Sequence, residues 1–317
     1  MNVLVTGANG FVGAPLCRLL TGSGIRVRGA VRSPIAHGEF EPFVIGEIGA
    51  HTLWHTALDG IEVVVHLAAR VHVMRDTAAD PLAAFRAVNL DATAQLAEAA
   101  RRSGVRRFIF VSSAKVHGEQ TAKRAYTEEQ TPQPRGPYAQ SKWEAEQALA
   151  RIAGNVMQLV VLRPPLVYGP HVRGNFLSLL KAIERRWPLP LAAIQNRRSL
   201  LYVENLVDAI ARCVAYPQAT GTFLVSDGED LSTPQLVRAL ASGLSIAPRL
   251  LGVPRGLLLL GGALTGRRGA VARLTGSLQL DSSRIRRALE WSPPHPVGEG
   301  LAATARWYRQ VRDGAAV

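Results

Sequence analysis

"NVLVTGANGFVG", residues 2 to 13, runs a short strand-like segment straight into a glycine-rich turn. Asn2 to Thr6 reads as a strand, and helical periodicity takes over from residue 11 to residue 21. Between them Gly7 permits a tight turn, Gly10 lets the backbone approach a pyrophosphate, and Gly13 lets the helix pack closely on the sheet. The amino end of that helix attracts phosphate charge. Such a turn gains its meaning from lying between a strand and a helix, and here it does. Thr6, Gly7, Asn9, Gly10, Phe11, Val12 and Gly13 are therefore the candidate contacts to a dinucleotide.

Outward from the turn, further strands are expected at 25–31, 43–45, 62–67, 107–112 and 158–163, with helical segments near 81–102 and 137–152. The later strands are apolar with little alternation, as expected where both faces of a sheet are covered. Strand, helix and strand repeated in this way imply an α/β fold, a Rossmann-type doubly wound parallel sheet with right-handed crossovers. From Pro164 the texture changes to more Pro and Gly and shorter elements. Helices are expected near 174–185 and 204–215, strands near 199–203 and at "TFLVS", and a capping box at Ser232 and Gln235. The expected organisation is a dinucleotide-binding domain over 1–164, a smaller substrate lobe over 165–317, and a return of 199–226 to the first domain.

Composition bounds the possibilities. The 317 residues are 47% hydrophobic, enough for a full core, and no apolar run approaches the roughly 20 residues of a membrane span. A soluble, cytoplasmic protein is expected. Cys17 and Cys213 both fall in helical stretches, which favours buried thiols over a disulfide or a zinc site. The net charge of +13 draws anions, but the arginines form no single block and aromatics are few, which weakens a nucleic-acid reading. One apolar segment followed by arginines, 254–274, is expected either to pack in the small lobe or to rest on an anionic membrane surface.

An acidic residue about 20 positions beyond the glycine turn would hold an adenosine ribose. Here the second strand ends Val31, Arg32, Ser33, with no carboxylate before Glu39. Arg32 suits a 2′-phosphate, favouring NADP(H) over NAD(H), or is simply solvated. "YAQSK", Tyr138 to Lys142, places a phenol and an ammonium on one helix face at i and i+4. A neighbouring cation would lower the phenol's pKa from near 10 and make Tyr138 a general acid or base. In "VSSAKVHG", residues 111 to 118, a strand ends at the carboxyl edge of the sheet, where ligands sit in such folds. Ser113 would face the same cleft as Tyr138.

These motifs, with "HLAA" at 66–69, "VNLDAT" at 88–93 and "LRPPLVYGP" at 162–170, resemble the extended short-chain dehydrogenase/reductase family across nearly the whole chain. The resemblance implies that Ser113 polarises a sugar oxygen, Tyr138 exchanges its proton, and Lys142 holds the nicotinamide ribose and tunes Tyr138. It places Leu67, Ala68 and Ala69 beside the cofactor and has Asn89 support the lysine through a water. Asn175 and Arg198, the latter in "RSLLYVENL", match positions that meet a UDP-sugar diphosphate, although Asn175 also suits a helix cap. Lys115 is placed to touch the sugar or a phosphate, or to point to water, and His117 to line the pocket wall. Leu166 stands where the family often has asparagine. Ala114 and Lys115 stand where dehydratases of the family carry Asp and Glu, which disfavours dehydration. A homodimer through helices 81–102 and 137–152 is also implied.

The stretches "AARVHVMRD", "SSAKVHGE", "NRRSL" and "FLVSDGEDLSTPQL" resemble a branch acting at C4 of UDP-sugars in surface polysaccharide precursor synthesis. The leading expectation is an NAD(P)-dependent reductase of a UDP-4-keto-6-deoxy-N-acetylhexosamine. The alternatives are a UDP-hexose or UDP-N-acetylhexosamine 4-epimerase and a non-catalytic cofactor-binding protein.

Overall fold

The computed structural model describes every residue except 36–38, 72–77, 123, 267 and 315–317. Part of "AARVHVMRD" and Arg267 of the 254–274 segment thus lie outside the described residues. In the first part of the chain β1 (Asn2–Thr6), α1 (Gly13–Gly22), β2 (Arg26–Val31), β3 (Glu41–Val44), β4 (Val63–His66) and α2 (Pro81–Arg86) follow one another. A π-helical turn (Ala87–Asp91) joins α2 to α3 (Ala92–Arg102), and β5 (Arg107–Val111), α4 (Gly136–Ala153) and β6 (Gln158–Arg163) come next. Beyond these come β7 (Leu166–Tyr168), α5 (Gly174–Glu184), β8 (Arg198–Tyr202), α6 (Val203–Ala215), β9 (Gly221–Leu224), β10 (Asp230–Leu231) and α7 (Thr233–Gly243). The chain closes with α8 (Arg255–Leu264), α9 (Arg268–Thr275), α10 (Ser283–Leu289) and α11 (Val297–Arg312).

The main sheet is parallel throughout, in the order β3-β2-β1-β4-β5-β6-β9. The order reverses between β1 and β4, so the carboxyl ends of these two strands open the crevice where a dinucleotide binds in such sheets. The apolar strands explain the two cores. One face of the sheet packs Val3, Val5, Val63, Val65 and Ile109 against α1 and α6, and the other packs Leu4, Val64, Phe108 and Phe110 against α3 and α4. This alternation within each strand is the period-2 consequence of covering both faces.

A second sheet, β10-β8-β7, sits with α5, α7 and α11 around a third core. α6 packs on the main sheet and β9 is hydrogen-bonded to β6, whereas β8 pairs with β7 and β10. Ser232 and Gln235 form the reciprocal capping box that opens α7. Cys17 and Cys213 are both buried and unbridged, and burial pushes each thiol up to about 12. Among the described residues, no helix is long and apolar enough to cross a membrane, and no three metal-ligating side chains converge.

Two local features depart from the sequence reading. The single helix expected over 81–102 is interrupted at 87–91, where one extra residue is accommodated by π-type bonding. The first turn of α5 is not capped by Asn175, because the N-cap position is Arg173 and no side chain caps it.

Candidate active site

The glycine turn has the shape of a pyrophosphate cradle. Gly7 adopts φ 67°, a conformation costly for any residue with a β-carbon. A Cβ on Gly13 would lie 2.0 Å from the Gly7 carbonyl oxygen, so only hydrogen lets α1 approach the turn that closely. The amino end of α1 has no side-chain cap and no acid in its first turn, and the Phe11 and Val12 amides donate to no backbone acceptor among the described residues. Unspent donors and a helix amino end suit a diphosphate. Asn9 and Gly10 are exposed at this rim, while Phe11 and Val12 turn their side chains onto the core of the small lobe.

Thr6 has a different place from the one expected. It is fully buried, and its Oγ1 accepts from the Leu67 and Ala68 amides at 3.1 and 3.2 Å and meets His66 Nδ1 at 2.7 Å. Thr6 therefore ties the ends of β1 and β4 together and shapes the crevice from beneath. The 66–70 segment is fixed again from above by Asn89, whose Oδ1 accepts from the Arg70 amide at 2.8 Å and whose Nδ2 donates to Arg70 O and Ser141 Oγ. Both Asn89 N–H groups are thus engaged, so it braces α4 through Ser141, one residue before Lys142. The π-helical turn is what aims Asn89 inward. Leu67, Ala68 and Ala69 are partly buried along this edge. Arg32, at the end of β2, is exposed and has no hydrogen bond or ion pair among the described residues.

Ser113 and Tyr138 meet at the carboxyl edge of the sheet, and Lys142 follows Tyr138 one turn later on α4. Ser113 is buried just past β5, its Oγ accepts from the Lys115 amide at 3.2 Å, and it hydrogen-bonds the Tyr138 phenol. Tyr138 is partly buried, with Phe85 edge-on to its ring at 6.1 Å. Lys142 is buried, its Nζ 3.9 Å from the centroid of the Phe110 ring. Burial, more than the spacing of the two side chains, governs the protonation of Tyr138 and Lys142. Burial pushes the phenol up to about 12, with only the Ser113 bond opposing. Burial likewise brings Lys142 down to about 7, against the pull of Glu146. Desolvation of the charged forms outweighs the mutual attraction expected from spacing alone. Burial thus favours the protonated Tyr138 phenol and works against the Lys142 cation.

Behind the pair lies a buried ionic network that the sequence reading missed. Glu146, one turn after Lys142, receives hydrogen bonds from Ser112 Oγ and from Arg163, the latter an ion pair with both partners 5% exposed. Arg163 also reaches His117 Nε2 at 2.8 Å, which requires a neutral imidazole there, and burial followed by Arg163 holds His117 down to about 4. His117 stacks on Tyr126 at 5.3 Å, so it forms the wall behind the cleft. "SKWEAE" and "LRPP" held the signal, an acid and a base in otherwise apolar elements, but they meet only in three dimensions.

On the lobe side, Arg198 donates through Nη1 to the carbonyls of Arg273 and Gly276 at 2.8 and 3.0 Å. Lys115 lies in the same electrostatic neighbourhood: burial lowers its pKa, and Arg273 and Arg198 push the same way against Glu119. Lys115 and Arg198, with Arg273 close enough to act on Lys115, make a basic region that suits an anion of two or more charges. Arg273 was not singled out in the sequence. Asn175 is exposed in the first turn of α5, and no contact among the described residues joins it to this cluster.

A doubly wound parallel sheet with a glycine-rich turn after its first strand, and a Ser, Tyr and Lys past its carboxyl edge, has the architecture of a Rossmann-type nucleotide-binding protein. The chain belongs to the NAD dependent epimerase/dehydratase family, whose model matches residues 3–225. It is 43% identical over 317 residues to the UDP-glucose 4-epimerase of Vibrio cholerae, covering 98% of this chain and 97% of that one. It is 28% identical to an N-acetyl-alpha-D-glucosaminyl-diphospho-ditrans,octacis-undecaprenol 4-epimerase of Escherichia coli O157:H7, over 96% of this chain and 95% of the other. Among solved structures, MoeE5 in complex with UDP-glucuronic acid and NAD superposes with a TM-score of 0.79 at 26% identity, over 98% of this chain and 100% of that chain.

Proposed function

We propose that this protein is a nucleotide-sugar 4-epimerase that uses NAD and acts on a UDP-hexose or UDP-N-acetylhexosamine. The observation that carries the reading is the full-length 43% identity to a UDP-glucose 4-epimerase. The Ser113, Tyr138 and Lys142 cluster supports it chemically. NAD, when bound, supplies reversible acceptance of a hydride. The glycine turn, Leu67 to Ala69 and Lys142 are the residues that would hold it. The matching family is NAD dependent, and MoeE5, at 26% identity, is solved with NAD. NAD therefore replaces NADP(H) as the preferred cofactor.

Tyr138 takes the proton of the C4 hydroxyl in one direction and returns it in the other. Ser113, already bonded to Tyr138, orients the same oxygen. The reverse transfer begins from the protonated phenol that burial enforces. The forward transfer needs the phenolate, and the cationic form of Lys142 is the nearby charge that favours it. Lys115, Arg198 and Arg273 bind the diphosphate and hold the sugar while its C4 faces exchange. Ala114 is buried and Lys115 is basic, so neither provides the carboxyl groups that eliminating water would require.

The C4 reductase reading uses the same three residues and differs in whether cofactor is consumed. The test is incubation of purified protein with UDP-glucose and with UDP-N-acetylglucosamine, with NMR of the sugars and absorbance at 340 nm followed together. Interconversion at C4 with no net change in reduced cofactor is expected. Stoichiometric consumption of NADH with a UDP-4-keto-6-deoxy sugar, and no interconversion, would return the assignment to a reductase.

A further inference from the structure

The small lobe carries a surface that the reaction does not use. Between Asp230 and Asp281 there is no acidic residue, while six arginines occur, at 238, 249, 255, 267, 268 and 273. Within this stretch α8 and α9 form a hairpin. Their contact is close: a Cβ on Gly262 would lie 2.8 Å from the Val271 side chain, so the inner side of α8 is already packed. The other side is left bare. Leu257, Leu260 and Leu264, at i, i+3 and i+7, share one stripe of α8 and are 60%, 59% and 80% exposed. Leu251, just before α8, and Leu274, on α9, are exposed as well, at 48% and 42%.

Exposed leucines in register on one helix, within an acid-free and arginine-rich segment, match an interface that is apolar at depth and anionic at its surface. A ten-residue helix spans about 15 Å, half the hydrocarbon thickness, so α8 can lie in the boundary but not cross it. Arg255 opens α8 and Arg268 opens α9, both exposed, so cations flank the leucine stripe.

We propose that the α8–α9 hairpin seats the protein on an anionic bilayer, with Leu257, Leu260 and Leu264 entering the headgroup boundary and Arg255 and Arg268 meeting lipid phosphates. The hairpin is tied to the substrate region, since the Arg273 carbonyl of α9 holds the Arg198 guanidinium. Docking would therefore hold the cation cluster of Lys115, Arg198 and Arg273 close to the membrane surface. This inference stands whichever C4 reaction the site performs.

Co-sedimentation of the full chain with phosphatidylcholine vesicles, and with vesicles containing about one third phosphatidylglycerol, tests it. Binding to the anionic vesicles at low salt, weakened by added salt and by omission of the anionic lipid, is expected. The variant L257S/L260S/L264S alters only exposed side chains and should lose at least about tenfold in partitioning while keeping turnover of a soluble sugar nucleotide. Arg255→Gln and Arg268→Gln should each lower binding about fivefold. Absence of binding by the folded chain, or binding unchanged in both sets of variants, would overturn the proposal. So would self-association lost in the leucine variant without vesicle binding, since a second copy would then be the occupant.

Discussion

Replacing Glu146 with glutamine removes a carboxylate that is 5% exposed and engaged by Ser112 and Arg163. Arg163, equally buried, would keep its charge with His117 Nε2 and the glutamine carbonyl as acceptors. Truncating one partner of a buried ion pair costs about 3–5 kcal/mol, and the amide retains one acceptor, so about 3 kcal/mol is expected. At roughly 2–4 °C per kcal/mol for a chain of this order, the unfolding temperature should fall by about 6–12 °C. A second effect separates this residue from a merely structural one. Glu146 is the group that raises the Lys142 pKa against burial, so its loss should carry Lys142 below about 7. Activity that depends on the Lys142 cation would then decline from a lower pH than in the parent, moving the alkaline limb toward acid. Thermal unfolding by circular dichroism and kcat/KM measured across pH 5.5–9 with Glu146→Gln and Glu146→Asp would read both, the aspartate restoring part of each. An unfolding temperature within about 1 °C of the parent, or an unmoved alkaline limb, would refute the reasoning.

Acid should destabilise the protein through His66 and His117, which burial holds down to about 3 and about 4. Because the unfolded chain binds these protons near pH 6.5, stability falls as pH drops below that value, by up to about 1.4 kcal/mol per unit for each histidine until its folded pKa is reached. Urea unfolding at pH 7, 5.5 and 4.5 would show this slope, and His117→Gln should reduce it; an unchanged slope would contradict the assignment. Lys142 has the same sign at higher pH, since the unfolded lysine holds its proton to about 10.5 and the folded one only to about 7. Its contribution makes the protein more stable as pH rises through that window, and Lys142→Met should abolish this component along with turnover. Gly13→Ala places a methyl group against the Gly7 carbonyl and should yield a chain that no longer copurifies with or binds NAD, read by the 260/280 nm absorbance ratio and by titration of added NAD. Lys115→Met should raise KM for the UDP-sugar about tenfold with little change in kcat, because a charge-assisted phosphate bond is worth about 1.5–3 kcal/mol; an unaltered KM would remove Lys115 from the diphosphate cluster.

What was legible in the sequence was local. Gly7, Gly10 and Gly13 lie within one turn, Tyr138 and Lys142 one helical turn apart, and the strands advertise their burial by continuous apolar runs, so spacing alone assembled the fold and brought the Tyr138 and Lys142 pair into view. What was not legible depends on neighbours brought in from afar. Glu146, Arg163 and His117 are ordinary residues on three separate elements until the fold stacks them behind the cleft. Thr6 reads as part of a cofactor loop, yet it is spent on the Leu67 and Ala68 amides. The π-helical turn at 87–91 is invisible to a 3.6-residue period, although it decides where Asn89 points. The protonation balance between Tyr138 and Lys142 is not legible in spacing for the same reason. Spacing reports their proximity, whereas their protonation is governed by burial, which the wider fold supplies.

The central claim, that Tyr138 exchanges the C4 proton, is tested most directly by the turnover number for C4 interconversion of a UDP-sugar by Tyr138→Phe, measured by NMR beside the parent at matched NAD occupancy. The variant keeps the ring against Phe85 and the bound cofactor, and its kcat should fall by about 10²–10⁴ with KM little changed. A kcat within about tenfold of the parent, with NAD fully bound, would contradict the account.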